Sequence, residues 1–427
     1  MIRKPELGAV FDAVIVGAGF AGMYMLHCLR GLGISARVYE AGGDVGGTWY
    51  WNRYPGARCD VESMQYSYSF CDALEQEWRW SEKYSPQPEI LAYARHVAER
   101  FELRRDIRFG TRVTAARFDE TAKRWLIETD LGDRASAQFF ILAVGCLSAA
   151  NKPPFAGIED FKGPIYHTGE WPHEEVDFAG WRVGVIGTGY YETYNLPHVK
   201  LVDVSAKPIE RFTRQGIVAN GTEYPADVAV FATGYAGMTG SFERIRITGR
   251  KGLTLAEKWR AGPRTYLGIS SAGFPNLFMV AGSGSPSVLA SMIQAIEQHV
   301  DWITDCIGHL REAGAQTIEP LLKAEDDWVH HLTEVAQISL RSTCNSWYLG
   351  ANVPGRPRVF MPYIGGFPVY VNRCNEVMAK GYEGFVLEDS MSVKAPPKAR
   401  WTERWRAPLD VEVISPAMLA AKRVPVV

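Results

Sequence analysis

The residues with the plainest chemical purpose lie near the start of the chain. They are Gly17, Gly19 and Gly22, spaced as GxGxxG, and Glu40. Gly17 permits a tight turn, Gly19 lets backbone approach a pyrophosphate, and Gly22 lets the following helix pack on the preceding strand. The helix N-terminus then presents N–H donors and partial positive charge to phosphate. Glu40 stands about 20 residues beyond the glycines, the place from which an acid accepts hydrogen bonds from adenosine ribose hydroxyls. A second glycine group, Gly43, Gly46 and Gly47, runs into Thr48-Trp49-Tyr50-Trp51. A further turn after the ribose acid suits a long extended cofactor such as FAD. Three aromatics in a row cannot all face one core from a strand, so at least one of Trp49, Tyr50 and Trp51 is expected to face a cleft.

A second glycine turn occurs at "VIGTGYYETYN", where Gly187 and Gly189 follow an apolar strand. The third glycine falls due at Glu192, and Tyr190 and Tyr191 occupy positions where small residues admit phosphate. This turn begins as a nucleotide site and does not finish as one.

The elements that must hold these residues are readable around them. Phe11 to Val16 reads as a buried strand, Met23 to Leu32 as a helix stopped near Gly31 and Gly33, and Ser35 to Tyr39 as the second strand. "QFFILAVGCLS" and "DVAVFATGYAG" are apolar strands ending in glycine turns. Ser287 to Arg311 carries apolar residues at helical spacing, and its glycine- and serine-rich start suits a helix N-terminus aimed at a polar cofactor group.

Composition bounds the rest. The 427 residues suffice for two or three domains with cores. A hydrophobic content of 47%, a charged content of 22% and a formal net charge of −2 describe an ordinary globular chain. No basic block points to nucleic acid. No apolar run approaches the ~20 residues of a membrane helix, and no signal-type segment opens the chain, so no membrane partner and a cytoplasmic location are expected. The seven cysteines form no CxxC pair and read as reduced thiols. His330-His331 lies in a helical pattern without ligands at metal spacing, so no metal is expected.

One string is more specific than any glycine turn. "FKGPIYHTGEWP" places Phe161, Gly163, His167, Trp171 and Pro172 in an FxGxxxHxxxWP pattern. With "GGTWYWNRYPGARCDVES", "ATGY", "AGPRTYLGISSAGFPNLF" and "SWYLGANVPGRPRVFMPYIGGF", it resembles the type I Baeyer–Villiger monooxygenases, most closely their phenylacetone and steroid monooxygenase branch. The resemblance spans most of residues 11–390. It implies an α/β fold: a Rossmann-like FAD domain of the two-dinucleotide-binding flavoprotein type, here with a truncated second dinucleotide-binding domain. It implies an enzyme that takes hydride from NADPH, forms a flavin peroxide with O2, and inserts oxygen beside a ketone carbonyl to give an ester or lactone. The implied cofactor contacts are Gly17, Gly19, Gly22, Glu40, Gly47, Thr48, Trp49, Tyr50, Trp51, Asp60, Tyr66, Val113 and Met292. The implied catalytic positions are Asp60, His167 and Trp347. His167 is expected between domains, acting without proton chemistry at the carbonyl, and Trp347 on a loop that closes over the nicotinamide.

The chain departs from the family at the second glycine turn. The family completes that GxGxxG with a helix and a long helical insertion, whereas here Gly189 runs straight into Tyr190. The phosphate cradle is cut short. No arginine ends "VKLVDV" to take a 2′-phosphate, and Asp203 stands there. The family's active-site arginine, which Asp60 orients, falls in the missing stretch. Asp60 is therefore expected to be solvent-accessible or re-paired with Arg53, Arg58 or Arg264. Val183–Ile186 and Val199–Val204 both read as strands, too close together for a parallel crossover. Apolar surface is expected to be uncovered there, favouring self-association.

The expected segments are 1–148 and 226–340 for the FAD domain, 149–225 for the NADPH-domain remnant, and 341–427 for a C-terminal wrap whose tail carries no signal. Two further functions fit the same residues. One is a flavoprotein that has lost NADPH-driven turnover, acting as a slow oxidase or a peroxide-driven oxygenator. The other is a non-catalytic scaffold.

Overall fold

The computed structural model describes residues 7–187, 194–337, 339–388 and 399–405. The chain opens with β1 (Leu7–Val16), α1 (Phe20–Gly31) and β2 (Ala36–Tyr39). β1 pairs in parallel with β2, and Ala13, Val14 and Ile15 are completely buried. A continuous apolar run is what a parallel strand covered on both faces requires. The strand starts earlier than its apolar pattern, because residues from Leu7 onward pair with a later strand even though Val10 faces solvent.

β3 (Ile107–Arg108) extends the sheet beyond β2. Then β4 (Val113–Asp119), β5 (Arg124–Thr129) and β6 (Arg134–Leu142) form an antiparallel meander. β6 has two roles. Its first half pairs with β5, and its last residues, Phe140 to Leu142, pair in parallel with a strand at Leu277–Met279. Along its length it also lies parallel to β1, which joins the meander to the nucleotide-binding strands.

The second unit is smaller. β7 (Ile165–His167) and β8 (Val183–Gly187) flank a strand at Val228–Ala232 in a three-stranded parallel sheet. Because Val228–Ala232 is its central strand, this unit runs past the boundary expected at residue 225. Val199–Val204 forms no strand. The expected conflict over a short crossover therefore does not arise: β8 has no parallel successor directly after it. The seam at Gly189–Tyr190 lies outside the described residues. Around it the expected uncovered apolar surface is present: Val185 is 63% exposed and Leu201 62%, with Trp181, Val183 and Leu196 also exposed.

The long helix runs from Met292 to Ala313, not from Ser287. Ser287 takes a left-handed φ of 44°, and Ala290 is extended, so Ser287–Leu289 is a single tight turn. Trp302 on the long helix donates through Nε1 to the Cys374 carbonyl (3.0 Å) on the helix Phe367–Ala379. Phe385–Glu388 pairs antiparallel with Thr317–Pro320. The C-terminal residues thus pack back on the first unit.

Candidate active site

The cradle is built from two glycine turns set back to back. Gly17 has φ of 101°, and a Cβ there would stand 2.6 Å from the Ala143 carbonyl oxygen. A Cβ on Gly47, which has φ of 54°, would stand 2.9 Å from the Cα of Gly19. Neither turn has room for a side chain, so the first loop and the second make one surface of bare backbone. Gly22 lies behind it, where a Cβ would stand 1.8 Å from the Gly17 oxygen. Its role is close helix packing, as its spacing predicts.

Glu40 closes the cradle at the end of β2. It is 5% exposed, and its carboxylate accepts from the N–H of Ala18 (2.6 Å) and of Gly42 (2.6 Å). Burial pushes its pKa up, while those two N–H donors and nearby Arg112 work in the opposite sense. Glu40 also lines the cleft beyond.

From the cradle opens a cleft of about 800 Å³ lined by Glu40, Arg112 and Val113 and by Thr48, Trp49, Trp51, Asp60, Tyr66, Met292 and Trp347. The volume and the aromatic, largely apolar lining suit a large flat cofactor held by a few polar groups. Thr48–Trp51 is one helical turn, which spreads the three aromatics around an axis. Trp49 donates through Nε1 to the Tyr66 hydroxyl (2.9 Å), and burial pushes the Tyr66 pKa up. Tyr50 is a correction to the expected contacts. It stands behind the cleft, its hydroxyl accepting from the Gly43 N–H (2.9 Å) and its ring 4.6 Å from His173. The tight turn before the long helix turns Val288, Ala290 and Met292 toward the cleft, and this explains the late helix start.

Asp60 is exposed at the cleft wall. The three arginines weighed as new partners are engaged elsewhere. Arg58 binds Glu82 (2.5 Å), Arg53 donates to the Tyr50 carbonyl (2.8 Å), and Arg264 pairs with Asp326. Among the described residues no ion pair forms at Asp60, and access to water is what the carboxylate has.

His167 lies outside the cleft, 4% exposed, at the end of β7. Its Nδ1 accepts from the Gly169 N–H (3.0 Å), which leaves Nε2 to donate to the Asn151 carbonyl (3.2 Å). With Nδ1 accepting, the ring proton belongs on Nε2, and burial lowers the pKa of the ring. Asn151 belongs to one of two linkers between the units. Ala149–Asn151 and Gly234–Ala236 run antiparallel, joined by Asn151 N–H to Gly234 O (2.9 Å) and Ala236 N–H to Ala149 O (2.8 Å). Thr233 donates to the same Asn151 carbonyl (2.5 Å). His167 is thus a clip on the crossing between the two units.

Trp347 packs its ring over Gly237, where a Cβ would stand 2.6 Å from the indole. Cys146, Met238, Met361 and Met292 surround it. Its loop is tied to both linkers: Asn352 donates to the Tyr235 carbonyl (2.6 Å), and Asn151 donates to the Asn352 carbonyl (3.2 Å). Sequence reasoning missed Arg112, Glu170, Tyr235 and Arg244, which also line the cleft. They come from separate segments and share no spacing. Tyr235 had a signal, since it ends the "ATGY" turn.

In the second unit Gly187 ends β8 against Ala232, and the rest of that glycine turn lies outside the described residues. Asp203 is exposed, and hydrogen bonds from the Ser205 side chain and from the Ser205 N–H (2.8 Å) lower its pKa. Among the described residues no cluster of His, Cys, Asp and Glu could hold a metal ion, and no helix is long and apolar enough to cross a membrane.

Comparison with known proteins places this geometry. A family model described as flavin-binding monooxygenase-like matches residues 12–198. A Baeyer–Villiger monooxygenase of Pseudooceanicola batsensis is 32% identical over 532 residues, covering 90% of this chain and 97% of the relative. An acetone monooxygenase (methyl acetate-forming) of Gordonia sp. is 32% identical over 526 residues, covering 88% and 99%. Among solved structures, an oxidized steroid monooxygenase bound to NADP superposes with a TM-score of 0.83 at 40% identity, covering 89% of this chain and 99% of that one. A closed crystal structure of cyclohexanone monooxygenase gives a TM-score of 0.87 at 31% identity, covering 89% and 99%. The alignments run over 532 and 526 residues although this chain has 427, so these relatives carry internal residues that it lacks.

Proposed function

The chain belongs to the Baeyer–Villiger family of flavin-dependent monooxygenases, and from that premise we propose that its cleft binds FAD and that it oxidises ketones to esters or lactones. One atom of O2 enters beside the carbonyl carbon. The other leaves as water, with two electrons supplied by NADPH. When bound, the flavin supplies the oxygen-transferring chemistry. The observation that carries the reading is the double glycine cradle, Gly19 against Gly47, opening past Glu40 into an aromatic cleft.

Each side chain has a task. Gly17, Gly19 and Gly47 admit the pyrophosphate to bare backbone, and Glu40 and Val113 hold the adenosine end. Trp49, Trp51, Tyr66 and Met292 enclose the ring system and exclude water. Asp60 holds negative charge at the wall, where it orients water or a substrate donor. Trp347 closes the cleft from the C-terminal loop. His167 keeps the linkers in register and moves no proton.

Aryl, alicyclic and steroid ketones are the substrate class to test. The purified chain should carry FAD and convert cyclohexanone or an aryl ketone to the lactone or ester. A colourless protein that takes up no FAD sinks the reading.

The second nucleotide half favours a qualification. The relatives carry internal residues that this chain lacks, and on that ground NADPH is a poor reductant for this chain. Turnover then runs slowly, as an oxidase or with peroxide as oxidant. The apolar residues Val183, Val185 and Leu201 give a second copy a surface on which to associate, readable by light scattering. Seven free cysteines suit a reducing, cytoplasmic compartment.

A further inference from the structure

The long helix Met292–Ala313 buries three carboxylates in one stripe. Glu297 and Asp301 are 0% exposed and Asp305 is 4% exposed, spaced four residues apart on one helix face. Buried carboxylates at this density need compensation. It comes from Ala399–Trp405, a segment whose sequence carries no recognisable motif.

The segment is fastened at both of its ends. Asp305 accepts from the backbone N–H groups of Arg400 (3.1 Å), Trp401 (3.1 Å) and Thr402 (2.9 Å), and from the Thr402 hydroxyl (2.8 Å). Arg404 lies 2.6 Å from Asp301 and 3.7 Å from Glu297, and Trp405 donates through Nε1 to Asp301 (2.8 Å). Arg404 is the one cation that meets both of those carboxylates among the described residues.

The same carboxylates hold the walls of the cofactor cleft. Glu297 accepts from the Ser69 N–H (2.8 Å) and the Ser69 hydroxyl (2.6 Å). Ser69 lies in the loop that brings Asp60 and Tyr66 to the cleft. Asp301 accepts from the Tyr24 hydroxyl (2.6 Å) on α1, the helix that springs from the glycine cradle. The helix bearing the stripe itself enters the cleft at Met292 and Ile296.

We propose that Arg404 is a positioning residue for the cofactor cleft: by neutralising Glu297 and Asp301 it fixes the Ser69 loop and α1, so that tight flavin binding depends on Ala399–Trp405. The inference rests on the cleft being the FAD site. Arg404 touches no lining residue of the cleft's aromatic end. It acts through the two carboxylates and through its own hydrogen bonds to the Ser69 hydroxyl (3.3 Å) and the Tyr24 hydroxyl (3.1 Å), so its charge and its guanidinium fork both matter.

The test uses the full chain with Arg404→Gln, Arg404→Lys and the double variant Arg404→Gln/Asp301→Asn. Two readouts are taken: FAD affinity by flavin fluorescence, and hydrogen exchange of residues 60–70 in the flavin-free protein. Arg404→Gln is expected to weaken FAD binding about tenfold or more and to speed exchange in that loop, because a buried charge loses its partner. Arg404→Lys keeps the charge but not the guanidinium's bonds to Ser69 and Tyr24, and should lose clearly less than Arg404→Gln. The double variant removes one of the two uncompensated charges and leaves Glu297 to its Ser69 donors, so it should recover part of the loss, which a simple packing defect would not do. Should Arg404→Gln fail to fold, Ser69→Ala cuts the same chain of contacts at its other end and should weaken FAD binding about threefold, the worth of one hydrogen bond. The proposal is overturned if a folded Arg404→Gln binds FAD like wild type, or if Asp301→Asn gives no recovery. A wild-type chain that binds no flavin refutes the FAD reading instead. Loop exchange then decides whether Arg404 fixes residues 60–70.

Discussion

The two nucleotide-binding halves of this molecule begin with the same kind of turn and end differently. In the first, a strand buried on both faces delivers Gly17, Gly19 and Gly22 to a helix of 12 residues, and Gly47 is pressed against Gly19 from a second loop. In the second, a three-stranded sheet brings Gly187 to the edge and leaves Val185 at 63% exposure beside it. A cofactor cradle needs more than glycines. It needs a helix behind them, an acid or cation at the next strand's end, and a second layer to cover the sheet. The first half has all of these. The described part of the second has β7, β8 and the strand between them, and Val199–Val204, the segment due to supply the next strand, forms none.

The comparison can be broken most forcefully at Gly47. Gly47→Val should weaken FAD binding at least about 100-fold, roughly 3 kcal/mol, because its Cβ would crowd Gly19 from a left-handed backbone. Titration with FAD checks this. An unchanged affinity would mean that the cradle does not hold pyrophosphate.

The clip between the halves comes next. His167→Ala should cost about 1–3 kcal/mol in urea unfolding, by leaving the Gly169 N–H without its acceptor. The pH dependence has a definite sign. Burial lowers the folded pKa of His167 below its unfolded value. Its contribution is therefore present above the unfolded pKa, near 6.5, and is lost as pH falls through the lower folded value. The alanine variant should lose that part of the acid sensitivity.

Asp60→Ala sharpens the comparison within the first half. An exposed side chain with no ion pair should leave stability within about 0.5 kcal/mol. Ketone turnover should fall about tenfold or more if the charge serves the reaction. Equal turnover would make Asp60 a bystander left behind by the shortened second half. The smallest effect is expected at Val185→Lys. It should reduce self-association by light scattering and leave thermal stability within about 0.5 kcal/mol, since edge strands tolerate lysine.

How much of this was legible depends on the range of the interactions. The β1–α1–β2 unit and Glu40 were legible because strand pattern, glycine spacing and acid fall within about 30 contiguous residues. Most of the expected contacts line the cleft, because family strings carry positions that spacing alone does not. Tyr50 was misplaced because Thr48–Trp51 is a helical turn, which fans successive side chains about 100° apart, so the three rings do not share one face. The long helix was started five residues early, since its apolar spacing continues through a turn that Ser287 and Ala290 break. Val199–Val204 has a strand's composition but no neighbour to pair with, and composition alone makes no sheet. The boundary at 225 failed because Val228–Ala232 pairs with strands more than 40 residues back in sequence. Arg404 was invisible for the same reason: its partners lie on a helix about 100 residues earlier, and no local pattern marks them.

The central proposal is that the FAD half holds its cofactor and that the shortened second half serves NADPH poorly. Anaerobic mixing tests it directly, by following flavin absorbance after adding NADPH or dithionite to the flavin-loaded chain. Dithionite should bleach the flavin fully, and NADPH should do so at least about 100-fold more slowly, roughly 3 kcal/mol, than in a relative that carries the internal residues this chain lacks. Rapid bleaching that saturates at micromolar NADPH would contradict the account.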